Sequence, residues 1–332
     1  MIELSKKYSN SLANYNYIDL FAGIGGFRLA LDSFGANCVF TSEWDKHSQD
    51  VYIKNFGNEP NGDITKIHEK DIPNHDFLFG GFPCQPFSIS GKQKGFDDTR
   101  GTLFFDIARI SKHHKPKIMI LENVKNILTI NEGETLKTII EVLEKELNYS
   151  VFIKLLKGND FGVPQKRERV FFMCFHKSLK VSNFDLSNPD FNKYSVRDIL
   201  EEGRFPEIEI NRDDISISDK PPMKDLLSNF PNKPIRIGTI NKGGQGERIY
   251  HIDGVGITLS AHGGGPGRKT GAYLINDKIR RLTPRESARM MGFPENFKIS
   301  SSNAQAYTQF GNAVIVDVVQ FIMKDILDKK II

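Results

Sequence analysis

Apolar and polar positions alternate in spacing along the first half of the chain, short apolar runs giving way to stretches with helical periodicity. Residues 15–21 form an apolar run that enters the turn Ala22-Gly23-Ile24-Gly25-Gly26, and 27–34 then read as a helix closed by Gly35. Further strands are expected at 38–42, 76–80 and 116–121. Leu and Ile at helical spacing predict a helix over 136–147, and 151–156 and 170–175 predict two late strands, joined as a hairpin across Gly162-Val-Pro164. Strands and helices in alternation imply a mostly parallel, doubly wound α/β sheet.

The pattern changes near Ser195. From there to about Thr283 the chain has short strands and many glycines, with no long amphipathic helix, and helical spacing returns at 287–291 and 314–327. The simplest organisation is an α/β domain of residues 1–196 plus 305–332. It is interrupted by a smaller glycine-rich, mainly β module at 197–283, with 284–304 as the connection.

A chain of 332 residues is long enough for two cores, and 39% hydrophobic with 26% charged residues is ordinary for a globular protein. No stretch has the apolar length of a membrane span. The start, Met1-Ile-Glu-Leu-Ser-Lys-Lys7, lacks the apolar core of a secretion signal, so a cytoplasmic protein is expected. Cys38, Cys84 and Cys174 are odd in number and far apart, against a disulfide framework and against a zinc site. The net charge of +4 decides little, but its distribution is uneven. Positions 233–289 hold eleven Lys or Arg against four acids, and 199–225 hold eight acids against four bases. A basic stretch beside an acidic one suggests a face for a polyanion, and a solvated surface of mixed charge is the alternative.

Candidate chemistry collects where strands end. Asp19-Leu-Phe-Ala-Gly-Ile-Gly-Gly26 is a glycine turn between a strand and a helix N-terminus, where a ligand can approach the backbone. Glu43 ends the second strand about twenty residues later, the position of a ribose-binding acid. Trp44 offers an adenine a stacking face, and Asp63 a carboxylate for an exocyclic amine. With no Lys or Arg at hand to grip a pyrophosphate, the ligand expected is S-adenosylmethionine. A plain tight turn with Trp44 in the core is the alternative. Gly81-Phe-Pro-Cys-Gln-Pro86 follows an apolar strand and points Cys84 at the sheet edge as a nucleophile, although a lone cysteine is also common core filler. Glu122 at the end of the fourth strand faces the same crevice, unless Glu122-Asn123 merely caps a turn. Arg167 and Arg169 share a face if extended and reach a phosphate or a pyrimidine carbonyl; an exposed charge run is the plainer reading.

Six blocks in this order resemble the DNA cytosine-5 methyltransferase family over nearly the whole chain. They are residues 19–26, 81–86, 122–124, 165–169, 285–293 and Gln309-Phe-Gly-Asn-Ala313. The likeness extends to Ser88-Ile-Ser-Gly-Lys-Gln-Lys-Gly95 and to Lys242-Gly-Gly-Gln-Gly-Glu-Arg-Ile-Tyr250. It implies a Rossmann-like S-adenosylmethionine-dependent methyltransferase domain carrying a target-recognition domain, with duplex DNA as substrate and a flipped-out cytosine as target. Cys84 is then the nucleophile that adds to cytosine C6, and Glu122 handles the proton at N3. Arg169 contacts the cytosine O2 and Glu122, and Arg167 helps beside the thiolate. The methyl-donor pocket implied is Phe21, Gly23, Ile24, Gly26, Glu43, Trp44, Asp63, Ile64, Gly81, Pro83, Leu103, Asn312 and Val314. Ala313 stands where relatives have serine, so its backbone alone contributes.

The resemblance also implies a mobile lid over 88–102, with Ser88, Ser90 and Gln93 at the DNA. Recognition falls to 242–250 and 256–270, through Gln245, Arg248, Thr258, His262, Gly264 and Gly265. Gln245 fills the gap left by the flipped base, and Arg248 reads a guanine bidentately. These blocks imply the site GCGC. His262 and Pro266-Gly-Arg268 depart from the pattern, and Arg268 adds a phosphate contact or changes a base contact. A monomer with no metal and no obligate protein partner is expected, alongside a companion restriction endonuclease in the cell. The rival reading is a tRNA cytosine-5 methyltransferase on the same scaffold. A nucleotide-binding oxidoreductase leaves Cys84, Glu122 and Arg169 unexplained, and a DNA-binding protein without catalysis leaves them without a use.

Overall fold

The computed structural model of the chain describes residues 7–83, 103–218 and 232–332. They fall into two compact units, one comprising Glu3–Leu156, Glu168–Ser187 and Ile322–Ile332, the other chiefly Lys157–Arg167 and Asn188–Phe321.

The first unit is built on a six-stranded sheet in the order β2-β1-β3-β4-β6-β5. The expected strands are β1 (Asn16–Leu20), β2 (Asn37–Ser42), β3 (Phe77–Gly81), β4 (Ile118–Val124), β5 (Tyr149–Lys157) and β6 (Glu168–His176). The ladders from β2 through β1 and β3 to β4 are parallel, and β6 runs antiparallel to β4. Consecutive residues of β1 face opposite sides. Ile18 and Leu20 join a core with Leu78, Met119, Leu121 and Phe172. Tyr17 turns the other way, and its hydroxyl donates to Asp32 Oδ1 at 2.8 Å.

Helix α1 (Gly26–Asp32) follows the glycine turn. Two helices without a counterpart in the sequence reading are α2 (Lys46–Phe56) and α3 (Leu103–His114). Asp45 caps α2 by accepting from Ser48 N at 2.9 Å, and Gly57 ends it in a left-handed conformation at φ 74°. The single helix expected at 136–147 is α4 (Glu134–Glu141) continued as a π-helical turn, Val142–Glu146, which keeps Val142 and Leu143 buried. β5 and β6 are neighbours in the sheet, yet no tight hairpin joins them, because the chain between them belongs to the second unit.

That unit holds a five-stranded sheet in the order β11-β10-β9-β8-β7. Its strands are β7 (Ile215–Ile217), β8 (Ile235–Ile240), β9 (Arg248–His251), β10 (Ala272–Ile275) and β11 (Lys278–Arg280). Ile210, Ile235, Ile237, Ile240 and Ile249 form its core. Helix α5 (Pro284–Met290) starts on a capping box between Thr283 and Glu286. Glu286 also takes Arg280 in a buried two-pronged pair at 2.7 and 2.8 Å. Helices α6 (Asn303–Asn312) and α7 (Val316–Asp328) follow.

Candidate active site and recognition loops

With β1 placed between β2 and β3, the strand order reverses at β1, and the carboxyl ends of β1 and β3 border the crevice where doubly wound sheets bind ligands. The glycine turn leaves β1 there. Phe21 at φ 56° and Gly25 at φ 89° make it, and a Cβ on Gly25 would lie 2.3 Å from the Phe56 ring. Gly23 has open space on its side-chain side. Glu43 locks the turn to the end of β2: Oε2 accepts from Gly23 N at 2.7 Å and Oε1 from Asp45 N at 2.8 Å. Burial pushes the Glu43 carboxyl above its ordinary pKa, against the pull of these backbone donors.

Trp44 is 78% exposed, so it is a bare indole at the sheet edge rather than core. Asp63 is held nearby in the chain, since Asn61 donates to Thr41 O through both its backbone and side-chain nitrogen. Asp63 Oδ1 accepts from Thr65 N and Thr65 Oγ1, and the Thr65 hydroxyl above all lowers its pKa. Ile24 and Ile64 are buried, and Phe21 and Leu103 pack against the core as half-buried residues. Gly26 opens α1. Asp19 is fully buried, and burial above all raises its pKa well above the usual carboxylate range.

The blocks around Gly81, Glu122 and Arg169 meet one strand further on. Glu122 is paired in register with Gly81, the last residue of β3, and a Cβ at Gly81 would stand 3.3 Å from Glu122 Oε2. Glycine leaves the carboxylate its room. Arg169 Nε lies 2.9 Å from Glu122 Oε1, with both side chains largely buried. Asn123 is 1% exposed and donates from Nδ2 to Phe82 O at 3.0 Å. It braces the segment leading through the exposed Pro83 to Cys84. Phe82 is anchored by ring contacts with Phe104 and Phe172. Cys84, Ser88, Ser90 and Gln93 lie outside the described residues.

In the second unit, Gln165 and Arg167 sew the chain together. Gln165, fully buried, donates to Met290 O at 3.1 Å and accepts from Leu259 N at 3.0 Å. Arg167 is 2% exposed, and its guanidinium donates to the carbonyls of Leu259, Gly311 and Ala313. Arg167 and Arg169 thus hold different partners among the described residues. The Arg167 bonds fix the backbone on either side of Asn312 and just before Val314, while a Cβ on Gly311 would strike Ala261 N at 2.3 Å. Thr258 donates its hydroxyl to Lys166 O at 2.6 Å.

Glycines let two loops touch backbone to backbone. Gly267 N donates to Gly246 O at 2.8 Å, and a Cβ on Gly246 would meet Gly264 O at 2.1 Å. Glu247 shapes the first loop by accepting from Asn241 Nδ2 and Gly244 N. Gln245, Arg248, His262, Gly264 and Gly265 are all exposed, and Arg248 Nε is lightly held by Gly243 O at 3.3 Å. Among the described residues, no three His, Cys, Asp or Glu side chains are placed to hold a metal ion, and no helix is long and apolar enough to cross a membrane.

Residues 15–328 match the model of the C-5 cytosine-specific DNA methylase family. The type II methyltransferase M.HhaI of Haemophilus parahaemolyticus is 50% identical over 98% of this chain and 97% of its own length. The type II methyltransferase M1.ScrFI of Lactococcus lactis subsp. cremoris is 45% identical over 98% of this chain and 81% of its own. Among solved structures, the S. pombe Dnmt2 methyltransferase superposes with a TM-score of 0.70 at 21% identity, covering 95% of this chain and 99% of that one.

Proposed function

The chain belongs to the C-5 cytosine-specific DNA methylase family and methylates DNA cytosine at C5, and from that premise we propose that its target is the inner cytosine of duplex GCGC, flipped out of the helix, in the protective arm of a restriction–modification system. Cytosine C5 is a poor nucleophile, so a nucleophile must first add at C6. Cys84 is that nucleophile, attacking as the thiolate. Glu122 delivers a proton to N3 as the C6–S bond forms, and the ring electron pair becomes available at C5. Arg169 holds Glu122 and contacts the cytosine O2, and Arg167 acts beside the thiolate through the backbone it fixes. After methyl transfer, the C5 proton leaves to a base, the C6–S bond breaks to release the Cys84 thiolate, and N3 returns its proton to Glu122. Extruding the base from the duplex costs a few kcal/mol. Gln245 from one side and Ser88, Ser90 and Gln93 from the other offset that cost by filling the gap.

The crevice residues fit an adenosyl ligand that lacks a pyrophosphate. Glu43 is a buried carboxylate at the end of β2, Trp44 offers a bare ring, and Gly23 has space beside it. Arg28, a cation on α1, is committed to Asp32 at 2.7 Å and to the Tyr52 hydroxyl at 3.4 Å. S-adenosylmethionine, when bound, supplies the methyl group as an electrophile. Phe21, Gly23, Ile24, Gly26, Glu43, Trp44, Asp63, Ile64, Gly81, Pro83, Leu103, Asn312 and Val314 hold it. Arg248, Thr258, His262, Gly264 and Gly265 complete the DNA contact, and the protein acts as a monomer without a metal.

The observation that carries this reading is the Glu122–Arg169 pair beside Gly81, at the strand edge that leads to Cys84. A GCGC duplex with 5-fluorocytosine at the target tests it, because fluorine at C5 cannot leave as the proton does. With S-adenosylmethionine present, the full chain is expected to form a complex that survives denaturation, and Cys84→Ser none. A wild type that binds this duplex and leaves no covalent complex contradicts the mechanism.

A further inference from the structure

The recognition loops border an open cleft of about 500 Å³ whose lining includes Arg212, Arg268, Arg281, Gly265, Pro266 and Glu209. Its three guanidinium groups are not equivalent. Arg212 is already neutralised by Asp214, through two bonds of 2.7 and 2.6 Å. Neither Arg268 nor Arg281 forms an ion pair with a described residue. Among the described residues, the Arg281 side chain donates to the carbonyl of Glu207, at 3.5 Å. Burial above all lowers the pKa of Arg281 from its usual value; the charge of Arg268 adds to this, and Tyr307 and the Glu207 carboxylate act against it. Two like charges at one cleft, neither in an ion pair among the described residues, favour an anion. Glu209 lines the same cleft and pairs with neither.

The walls are preformed. Arg268 N donates to Gly265 O and Gly267 N to Gly246 O, while Arg281 N donates to Ile208 O. Arg268 sits at φ 43° and Gly265 at φ 72°, so the loop turns tightly at both ends of Pro266-Gly267. The cleft shares Gly265 with the loop that packs on Gly246, next to Gln245. Its place is therefore at the flank of the recognition loops.

We infer that this cleft grips a backbone phosphate of duplex DNA flanking the target site, through Arg268 and Arg281. The inference rests on duplex DNA as the substrate and adds a contact that positions the protein without reading sequence. A phosphate fits two adjacent guanidinium groups through paired N–H donors, which a single lysine cannot match.

The test is the salt dependence of binding, measured with the full chain on a GCGC duplex and a scrambled one. The variants are Arg268→Gln, Arg281→Gln and Arg268→Lys. Each glutamine variant is expected to reduce the slope of log affinity against log salt by about 0.9, the value for one lost phosphate contact. Each should weaken both duplexes by the same factor, roughly 3- to 10-fold near 0.1 M salt, and Arg268→Lys should keep the wild-type slope. Methylphosphonates placed one at a time along the flanks should find one position where wild type and Arg268→Gln bind alike. Thermal midpoints establish that the variants are folded. Unchanged slopes in folded variants overturn the inference, as does weakening confined to GCGC, which is base reading. If no methylphosphonate position equalises the two proteins, while inorganic phosphate raises the midpoint of wild type and not of the variants, the cleft takes a free anion and the DNA assignment falls. A wild type that binds the scrambled duplex as tightly as GCGC counts against the recognition reading, and leaves the slope comparison to decide the cleft.

Discussion

Arg169 and Glu122 meet at 2.9 Å across the ladder between β6 and β4. Glu122 stands opposite Phe171 and Arg169 opposite Val124, so the two occupy diagonal positions on one face of an antiparallel pair. The carboxylate is thus fixed by strand register rather than by a loop. If it delivers the proton to N3, Glu122→Gln should lower the rate of methyl transfer by about 10²- to 10⁴-fold, the usual contribution of a placed acid or base. Single-turnover assays at saturating DNA read this directly. A wild-type rate in a folded Glu122→Gln protein would remove Glu122 from the proton transfer.

Gly81 offers a subtler probe of the same carboxylate. A Cβ there would stand 3.3 Å from Oε2, close enough that the carboxylate must shift by a few tenths of an ångström. Small misplacements of a reacting group are costly in rate. Gly81→Ala is expected to lower turnover by roughly tenfold while the thermal midpoint stays near wild type. A large loss of stability with unchanged turnover would show that Gly81 serves packing alone.

Trp44 and Glu43 should separate in their effects, although they are adjacent. Trp44 is exposed, so Trp44→Ala should leave stability within about 0.5 kcal/mol and raise the KM for S-adenosylmethionine, by roughly 5- to 150-fold if an adenine stacks there. Glu43 accepts a backbone N–H on each oxygen, and an amide can accept on only one. Glu43→Gln should therefore lower the midpoint as well as raise KM. Equal midpoints for the two variants would contradict the structural role of Glu43.

A pH-dependent loss of stability is expected from His75. Its ring is largely buried, with Nδ1 donating to Pro73 O at 2.8 Å and the tilted His114 ring centred 4.7 Å away, and burial lowers its pKa to about 4. Unfolded, it titrates at the usual 6.5. Between these values the unfolded chain binds a proton that the folded one refuses. The stability from neutral His75 is full above about 6.5, and falls as pH drops toward 4 by up to about 1.4 kcal/mol per unit. Midpoints of wild type and His75→Gln from pH 7.5 to 4.5 test this. Parallel curves would contradict it.

Much of the site was legible because it sits where strands end. The apolar runs at 38–42, 76–80 and 116–121 announced their own carboxyl ends, and Glu43, Gly81 and Glu122 follow them directly. Helix α2 was missed because its N-terminal half, Lys46-His-Ser-Gln-Asp50, carries no apolar stripe; only Asp45 and Gly57 mark its ends. The carbonyl partners of Arg167 were hidden, because sequence spacing records only which residues share a face. The carbonyls that claim it belong to residues 92 to 146 positions away. Asn123 was equally hidden, since its partner, the Phe82 carbonyl, lies 41 positions back in the neighbouring strand's exit. Long-range hydrogen bonds of this kind leave no periodic trace.

The most direct test is bisulfite sequencing of a plasmid incubated with the purified protein and S-adenosylmethionine. The account predicts protection of the inner cytosine at every GCGC and at no other sequence. Protection at a different motif would keep the chemistry and place the change in the loop from His262 to Arg268. No protected cytosine, with folded protein, would contradict it.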